Sequence, residues 1–264
     1  MDWLQVVVLA VIQGVTEFLP VSSSAHLIFP AQVWGWPDQG LAFDVAMHVG
    51  SLLAVMIYFR LKIINMTTAW FGSVFQQRQT PDSHLAWAVI VGTIPAGLAG
   101  LLFGGFIETE LRSLTVIAST TLIFGLLLGL ADRRGDGAIS DLSWKIIIVI
   151  AFAQALALIP GTSRSGVTMT AALLMGVNRQ TAAEFSFLLS IPLIIAAGGL
   201  MTLELVSSGV AVDWVKITAA TILSAITAYL CIHFFLKLIT KLGFMPFVIY
   251  RIILALALFW LILA

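Results

Sequence analysis

The chain has 264 residues, of which 60% are hydrophobic and only 10% charged, against a charged share of roughly 25% in soluble domains. Mean hydropathy is +1.07, and 13 basic side chains balance 13 acidic ones. These values exclude a soluble globule and a disordered chain, and the lack of a basic surplus excludes a nucleic-acid binder. A polytopic helical membrane protein remains. Its single cysteine, Cys231, lies in an apolar run and offers neither a disulfide framework nor a thiol zinc site.

Roughly 20 apolar residues cross a hydrocarbon core as a helix, and the elements follow in order. The stretch from Asp2 to Pro37 is apolar but interrupted by Glu17, Pro20, Ser22, Ser23, Ser24 and His26. It lacks a basic start and a small-residue cleavage site, so a removable signal peptide is not expected. Ala42–Phe59, which carries Asp44, is the first span. Arg60–His84 reads as a basic loop, followed by spans at Leu85–Ile107 and Ser113–Ala131 and a basic link from Asp132 to Lys145. Lys145 to Val177 is broken again, by Pro160, Gly161, Thr162, Ser163, Arg164 and Ser165. The last three spans are Phe185–Leu203, Ile217–Leu236 and Leu242–Ala264. Proline removes a backbone donor, and broken helices at membrane depth survive only inside protein or beside a water-filled cavity. The expected fold is therefore all-α, with six transmembrane helices plus two re-entrant helical hairpins in one integral membrane domain.

Basic connections mark the inner side of a membrane. Arg60, Lys62, Arg78, Arg133, Arg134, Lys145, Lys237 and Lys241 cluster in alternate connections, whereas Glu108, Glu110, Glu204 and Asp213 occupy the others. Both termini are then expected outside, with the first hairpin entering from outside and the second from inside. The order hairpin, span, span, span occurs twice. Pro20 and Asp44 are 24 apart, as are Pro160 and Glu184, and Leu19–Ser23 matches Ile159–Ser163 at an offset of 140. This predicts inverted repeats over approximately 1–131 and 145–264, with a binding site where the two breaks meet.

Charged side chains at bilayer depth need partners or a function. Glu17 and Arg164 sit in the two breaks, so the repeat brings an acid and a base together. Gln13 shares a helix face with Glu17, and Ser23 shares one with His26, the minimum for an activated oxygen nucleophile. The second break is suited to an anion: Gly161 permits close approach, Thr162, Ser163, Ser165 and Thr168 supply hydroxyls, a half-helix starts near Ser165, and Arg164 adds a planar fork. Four further polar residues are read as structural. Glu184 caps its span or pairs with Arg179, Asp44 and His48 pair or meet solvent, and Arg251 snorkels to the inner surface. The tryptophans Trp34, Trp36 and Trp214 are read as interfacial anchors. Gly161–Ser165 is not a G-x-S-x-G elbow, because position 165 is serine and no strand precedes it, and no Walker A lysine is present.

Gln13-Gly14-Val15-Thr16-Glu17-Phe18-Leu19-Pro20-Val21-Ser22-Ser23-Ser24-Ala25-His26 and Pro160-Gly161-Thr162-Ser163-Arg164-Ser165-Gly166-Val167-Thr168 resemble the two signatures of the bacterial undecaprenyl-diphosphate phosphatases, or bacitracin-resistance proteins. Glu184–Leu189 and Pro246–Arg251 extend the resemblance over nearly the whole chain. It implies hydrolysis of a C55 isoprenyl diphosphate to the monophosphate in the bacterial inner membrane, recycling the lipid carrier for peptidoglycan and conferring bacitracin resistance. It also implies a divalent cation, Mg²⁺ or Ca²⁺, expected on Glu17 and Gln13. Gln13 stands where many members carry glutamate, which leaves one carboxylate fewer for that ion. The expected chemistry is attack by Ser23 on the terminal phosphorus with His26 as base. A phosphohistidine on His26 is the alternative. Arg164 and the second break would hold the phosphate, and the pocket is expected to open outward. The partners are then the lipid substrate and membrane lipid, with a homodimer among the assemblies left open. A transporter or flippase for an anionic lipid or phosphate solute is the competing class, because inverted repeats with mid-membrane breaks also build carriers.

Overall fold

The computed structural model describes residues 1–36, 39–134, 136–208 and 212–263. Eleven α-helices and no strand occur among the described residues: α1 Trp3–Thr16, α2 Ser23–Trp34, α3 Leu41–Tyr58, α4 Arg60–Phe75, α5 Pro81–Glu110, α6 Leu114–Asp132, α7 Trp144–Ala155, α8 Arg164–Leu174, α9 Arg179–Ser208, α10 Trp214–Leu242 and α11 Met245–Leu263. Six of them, α3, α5, α6, α9, α10 and α11, are long and apolar enough to cross a membrane, one for each span expected from hydropathy.

The helix starts follow local chemistry. Asp2 and Gln5 form a reciprocal cap on α1, Thr80 and Ser83 do the same for α5 with Pro81 in the first turn, and the Ser113 hydroxyl caps α6. Asp213 caps α10, and Lys216 beside it holds its carboxyl below the usual carboxylate range. Trp214 is 71% exposed at that end and Trp34 lies against Trp36, as befits interfacial side chains.

Two stretches do not continue as helix. The α1 ladder stops at Thr16 and α2 begins only at Ser23, while α7 passes through a short 3₁₀ turn at Leu156–Leu158 and α8 begins at Arg164. Four pairs of residues in and around these two stretches share one spacing, which differs by one from the expected offset of 140. Trp3 and Trp144 open α1 and α7, Gln13 and Gln154 are buried on them, Ser22 and Ser163 carry positive φ, and Ser23 and Arg164 open α2 and α8. All four pairs are 141 apart. The second turn holds one more residue between its proline and its positive-φ serine, so alignment by the prolines puts Ser23 and Arg164 out of register by one position.

Helix pairing builds one packed body. α10 lies against α3 and α1, α11 against α6, α5 against α7, and α8 against α6, α7 and α9. Small residues permit the closest crossings. A Cβ on Gly14 would strike the Thr227 hydroxyl and the Ser224 carbonyl of α10, and one on Gly50 would strike the Thr221 carbonyl. The Ser224 hydroxyl donates to Met47 O at 2.8 Å and lies 3.2 Å from the Ser51 hydroxyl, tying α10 to α3. A cluster of buried aromatic rings, including Phe18, Phe59, Phe187, Phe235 and Phe244, fills the centre, with Phe18 edge-on to Phe187 at 5.2 Å.

Two expectations are corrected here. Arg60–Phe75 is helix, not loop. Its exposed Leu61, Ile64, Phe71 and Phe75 recur with helical spacing while Met66 is buried, so α4 is amphipathic and too short to span. Glu184 pairs with Lys62 at 2.6 Å and with Gln180, not with Arg179. Arg179 bonds instead to Asp132 at 2.8 Å, and the second oxygen of Asp132 accepts from the amide of Phe244. That buried carboxylate pins the ends of α6, α9 and α11 together. Nearby, Ile139 pairs with Gly176 and Asn178 through backbone bonds, joining the α6–α7 link to the α8–α9 turn.

Candidate active site

The two breaks meet. Gly161 N–H donates to the Ser24 hydroxyl at 3.3 Å, and the Ser165 hydroxyl donates to Leu19 O at 2.8 Å. Ser22 and Ser163, with φ of 72° and 70°, hold backbone shapes that cost on the order of 1–3 kcal/mol each outside glycine. Each therefore needs surroundings that over-determine it, and Arg251 supplies them.

Arg251 is fully buried and does not snorkel, contrary to the expectation from sequence. Its guanidinium donates to five backbone carbonyls: Pro20 at 3.2 Å, Gly161 at 3.0 Å, Thr162 at 3.1 Å, Thr121 at 3.1 Å and Thr120 at 3.5 Å. Both turns thus hang on one planar fork, whose donor geometry suits several acceptors at once. The Thr120 and Thr121 hydroxyls add bonds to Pro160 O at 2.6 Å and Gly161 O at 3.3 Å. Gly125 on α6 leaves the space through which the arginine passes, since a Cβ there would come within 3.0 Å of Arg251 Cβ.

Glu17 and Arg164, 147 residues apart, form an ion pair at 3.0 Å, with side chains 9% and 11% exposed. The second Glu17 oxygen accepts from Gln13 Nε2 at 2.9 Å and from the Ser23 hydroxyl at 3.3 Å. Arg164 also donates to Ser186 O at 2.9 Å and lies over the Phe18 ring. Acid, hydroxyl and guanidinium are therefore one connected group. They line a cavity of about 230 Å³ together with Thr16, Ser22, Ser24, His48 and Ser163. The opposite wall is apolar: Ala157, and Leu193, Ile194, Ala197, Gly198 and Met201 on one face of α9. Ala197 on that face is exposed, so the wall reaches the surface of the bundle.

The other expected residues sit close by with different partners. His26 Nδ1 lies 2.7 Å from Ser22 O and Nε2 lies 2.6 Å from the Tyr250 hydroxyl. A carbonyl only accepts, so Nδ1 carries a proton, and in the neutral ring Nε2 then accepts from tyrosine. Ser23 thus faces Glu17, while both nitrogens of His26 are committed elsewhere. Gly161 and Thr162 present their carbonyls to Arg251. The Ser163 hydroxyl accepts from the Gly166 amide at 3.2 Å and caps α8. Thr168 bonds to Arg164 O and to the Ser186 hydroxyl. The residues facing the cavity from the second break are Ser163 and Arg164; Gly161, Thr162, Ser165 and Thr168 shape the turn behind them.

Sequence reasoning missed Arg251, Tyr250, Ser186, His48, Thr120 and Thr121. The first three lie within the quoted stretches Glu184–Leu189 and Pro246–Arg251, and that was the available signal. Thr120 and Thr121 look like ordinary span residues.

For a divalent cation, two donors stand ready. Gln13 is fully buried, and its Oε1 has no hydrogen-bond partner while its Nε2 is spent on Glu17. A carboxylate and an amide oxygen suit a hard cation that takes its remaining ligands from phosphate oxygens and water. No cluster of three or more His, Cys, Asp or Glu side chains occurs among the described residues.

Fold and site together define a polytopic helical membrane protein in which two broken helices bring an acid, a hydroxyl and a guanidinium to one amphiphilic cavity. Residues 6–257 match the family model for bacitracin resistance protein BacA. The chain belongs to that family. It is 60% identical over 255 residues to the undecaprenyl-diphosphatase of Hahella chejuensis and 61% identical over 259 residues to undecaprenyl-diphosphatase 2 of Stutzerimonas stutzeri, covering 96% of each chain in both cases. It is 55% identical to the undecaprenyl-diphosphatase of Alteromonas mediterranea over the full length of both.

Proposed function

We propose that this chain is an undecaprenyl-diphosphatase of the bacterial inner membrane, which removes the terminal phosphate of a C55 isoprenyl diphosphate. One observation carries the reading: Ser23, Glu17 and Arg164 are joined at the polar wall of a cavity whose other wall is an apolar helix face. A diphosphate head fits the first wall and the leading isoprene units fit the second. The relatives' names give the same activity.

Ser23 Oγ attacks the terminal phosphorus, and its proton has Glu17 Oε2 as the bonded acceptor. The phosphorus–oxygen bond to the prenyl monophosphate breaks, and water then hydrolyses the phosphoserine to release phosphate. Arg164 leaves part of its bonding with Glu17 to hold the equatorial oxygens, where charge stabilisation dominates the barrier. Ser163 lines the same cavity and adds a hydroxyl for the anion. His26 is the alternative base, after exchanging its bonds to Ser22 and Tyr250. Glu17 and Gln13 are the residues to hold a Mg²⁺ or Ca²⁺ ion, which would neutralise the diphosphate charge.

The two breaks are re-entrant hairpins of an inverted repeat, a reading supported by the four residue pairs in one register and by paired contacts, α1 on α10 and α7 on α5. The basic connections lie inside and both termini outside. The cavity is lined by the half of α9 remote from Arg179, on the outer side in this reading.

Phosphate release from C55 diphosphate by purified protein tests the proposal, with and without chelator, against Ser23→Ala, Glu17→Ala and Arg164→Ala. Arg164→Ala is expected to lose at least about 10²-fold in rate, and a trapped adduct is expected to be stable to acid, as phosphoserine is. Near-normal release by Arg164→Ala overturns the assignment. Accumulation of the lipid in liposomes without turnover turns the reading to a transporter.

A further inference from the structure

A second cavity, of about 610 Å³, lies on the outside of the bundle between α1, α10 and α11. Val15 and Leu19 form its floor, Leu230, Phe234 and Leu238 one wall, and Phe247 the other. The polar groups at its end are Lys237 and Lys241, one helical turn apart on the same face of α10. Both are exposed. The ion pairs among the described residues are Lys62–Glu184, Arg164–Glu17, Arg179–Asp132 and Lys216–Asp213, so neither lysine is neutralised by a carboxylate.

We propose that this groove binds an anionic phospholipid of the leaflet that meets the C-terminal end of α10, with one acyl chain along the groove and the phosphate on Lys237 and Lys241. Length supports this occupant. From Thr227, at the far end of the groove, to Lys241 the helix rises about 21 Å, close to one leaflet of a bilayer about 40–45 Å thick with its head groups. Charge supports it too, because two cations beside a long apolar channel match an amphiphile with a net negative head. The stems of the lysines lie along the apolar surface while their ammonium groups reach the interface. The floor of the groove is the back of the first break. Val15 O accepts from Cys231 Sγ, and Leu19 O from the Ser165 hydroxyl that joins the two breaks. A bound chain therefore packs behind the segment that carries Glu17.

The test is native mass spectrometry of the purified protein equilibrated with dioleoyl phosphatidylglycerol or dioleoyl phosphatidylcholine. Wild type is expected to retain phosphatidylglycerol preferentially. Each lysine is expected to contribute about fivefold in apparent affinity, so K237Q/K241Q loses the preference. L230W, which fills the channel, weakens both lipids. Lys237 and Lys241 are exposed and bond to no acidic group, so the double variant keeps its fold, as a thermal melt will show. Equal retention of the two lipids by wild type overturns the proposal. So does an unchanged preference in the double variant, or displacement of phosphatidylglycerol by a prenyl alcohol at stoichiometric concentration. Binding is read without turnover, so its failure is distinct from failure of the proposed activity.

Discussion

Arg251 shows how much one side chain determines. Among the described residues it has no acidic partner, yet its five carbonyl acceptors come from three separate stretches of chain, Pro20, Thr120–Thr121 and Gly161–Thr162. Removing it takes a donor from each of those carbonyls, with Gly161 O keeping only the Thr121 hydroxyl, and releases both positive-φ serines. Arg251→Met is expected to lose about 3–5 kcal/mol of stability, read as a collapse of the thermal transition in detergent. Arg251→Lys keeps the charge but not the fork, so it should fold with a lower Tm and release phosphate at least tenfold more slowly. Ser22 provides a gentler probe. Among the described residues its hydroxyl bonds to Ser24 Oγ, so Ser22→Gly relieves the strained φ at the loss of one hydrogen bond and should melt at or above wild type, whereas Ser22→Val, β-branched at the same φ, should melt lower by about 1–3 kcal/mol. The sequence made Glu17, Ser23 and Arg164 legible because polar groups inside apolar runs are conspicuous. It could not do the same for Arg251: a lone arginine near the start of a span has the same local pattern whether it snorkels or is buried. What separates the two cases is carbonyls 89 to 231 residues away in the chain.

At the scale of elements, hydropathy located all six long helices, because span length and apolar content are direct consequences of bilayer thickness. The two breaks were legible for the complementary reason, since proline and Gly/Ser clusters cannot continue a backbone ladder in lipid. α4 was not. Its charges at Arg60 and Lys62 mark a loop by composition, and only its apolar face on helical spacing separates it from one. Crossing distances were also hidden, because glycine in a span says nothing about which neighbour it admits. Gly50 shows the consequence. Its Cα faces Thr221 O and Ser224, where α3 and α10 also share the Ser51–Ser224 contact. Gly50→Leu must push α10 away, and a cost of about 1–3 kcal/mol is expected. A thermal melt that matches wild type would show that α10 is not clamped there. Activity should fall with stability in this variant, because α10 also backs α1 and thereby Glu17.

For the whole molecule, the direction in which the cavity opens decides which pool of lipid diphosphate it serves. The ends of α5 report it. This helix has 30 residues, about 45 Å of rise, with Gln79 just before it and Glu110 as its last residue. Gln79 also lies on the rim of a separate cavity shared with Lys62 and Glu184, at the end of the bundle where basic residues gather. Glu110 lies at the other end. The proposed orientation places Gln79 inside and Glu110 outside, and the half of α9 that lines the Glu17–Arg164 cavity runs toward the Glu110 side. Cys231 is the single cysteine, so Cys231→Ser gives a background free of thiols. In that background a membrane-impermeant maleimide added to intact spheroplasts should label Glu110→Cys, and should reach Gln79→Cys only after lysis. The reverse pattern would turn the molecule over and put Ser23 to work on the cytoplasmic leaflet. His48→Cys gives an independent reading, because His48 lines the cavity itself. Labelling from outside, suppressed by a soluble short-chain prenyl diphosphate, is expected if the head group enters from that face.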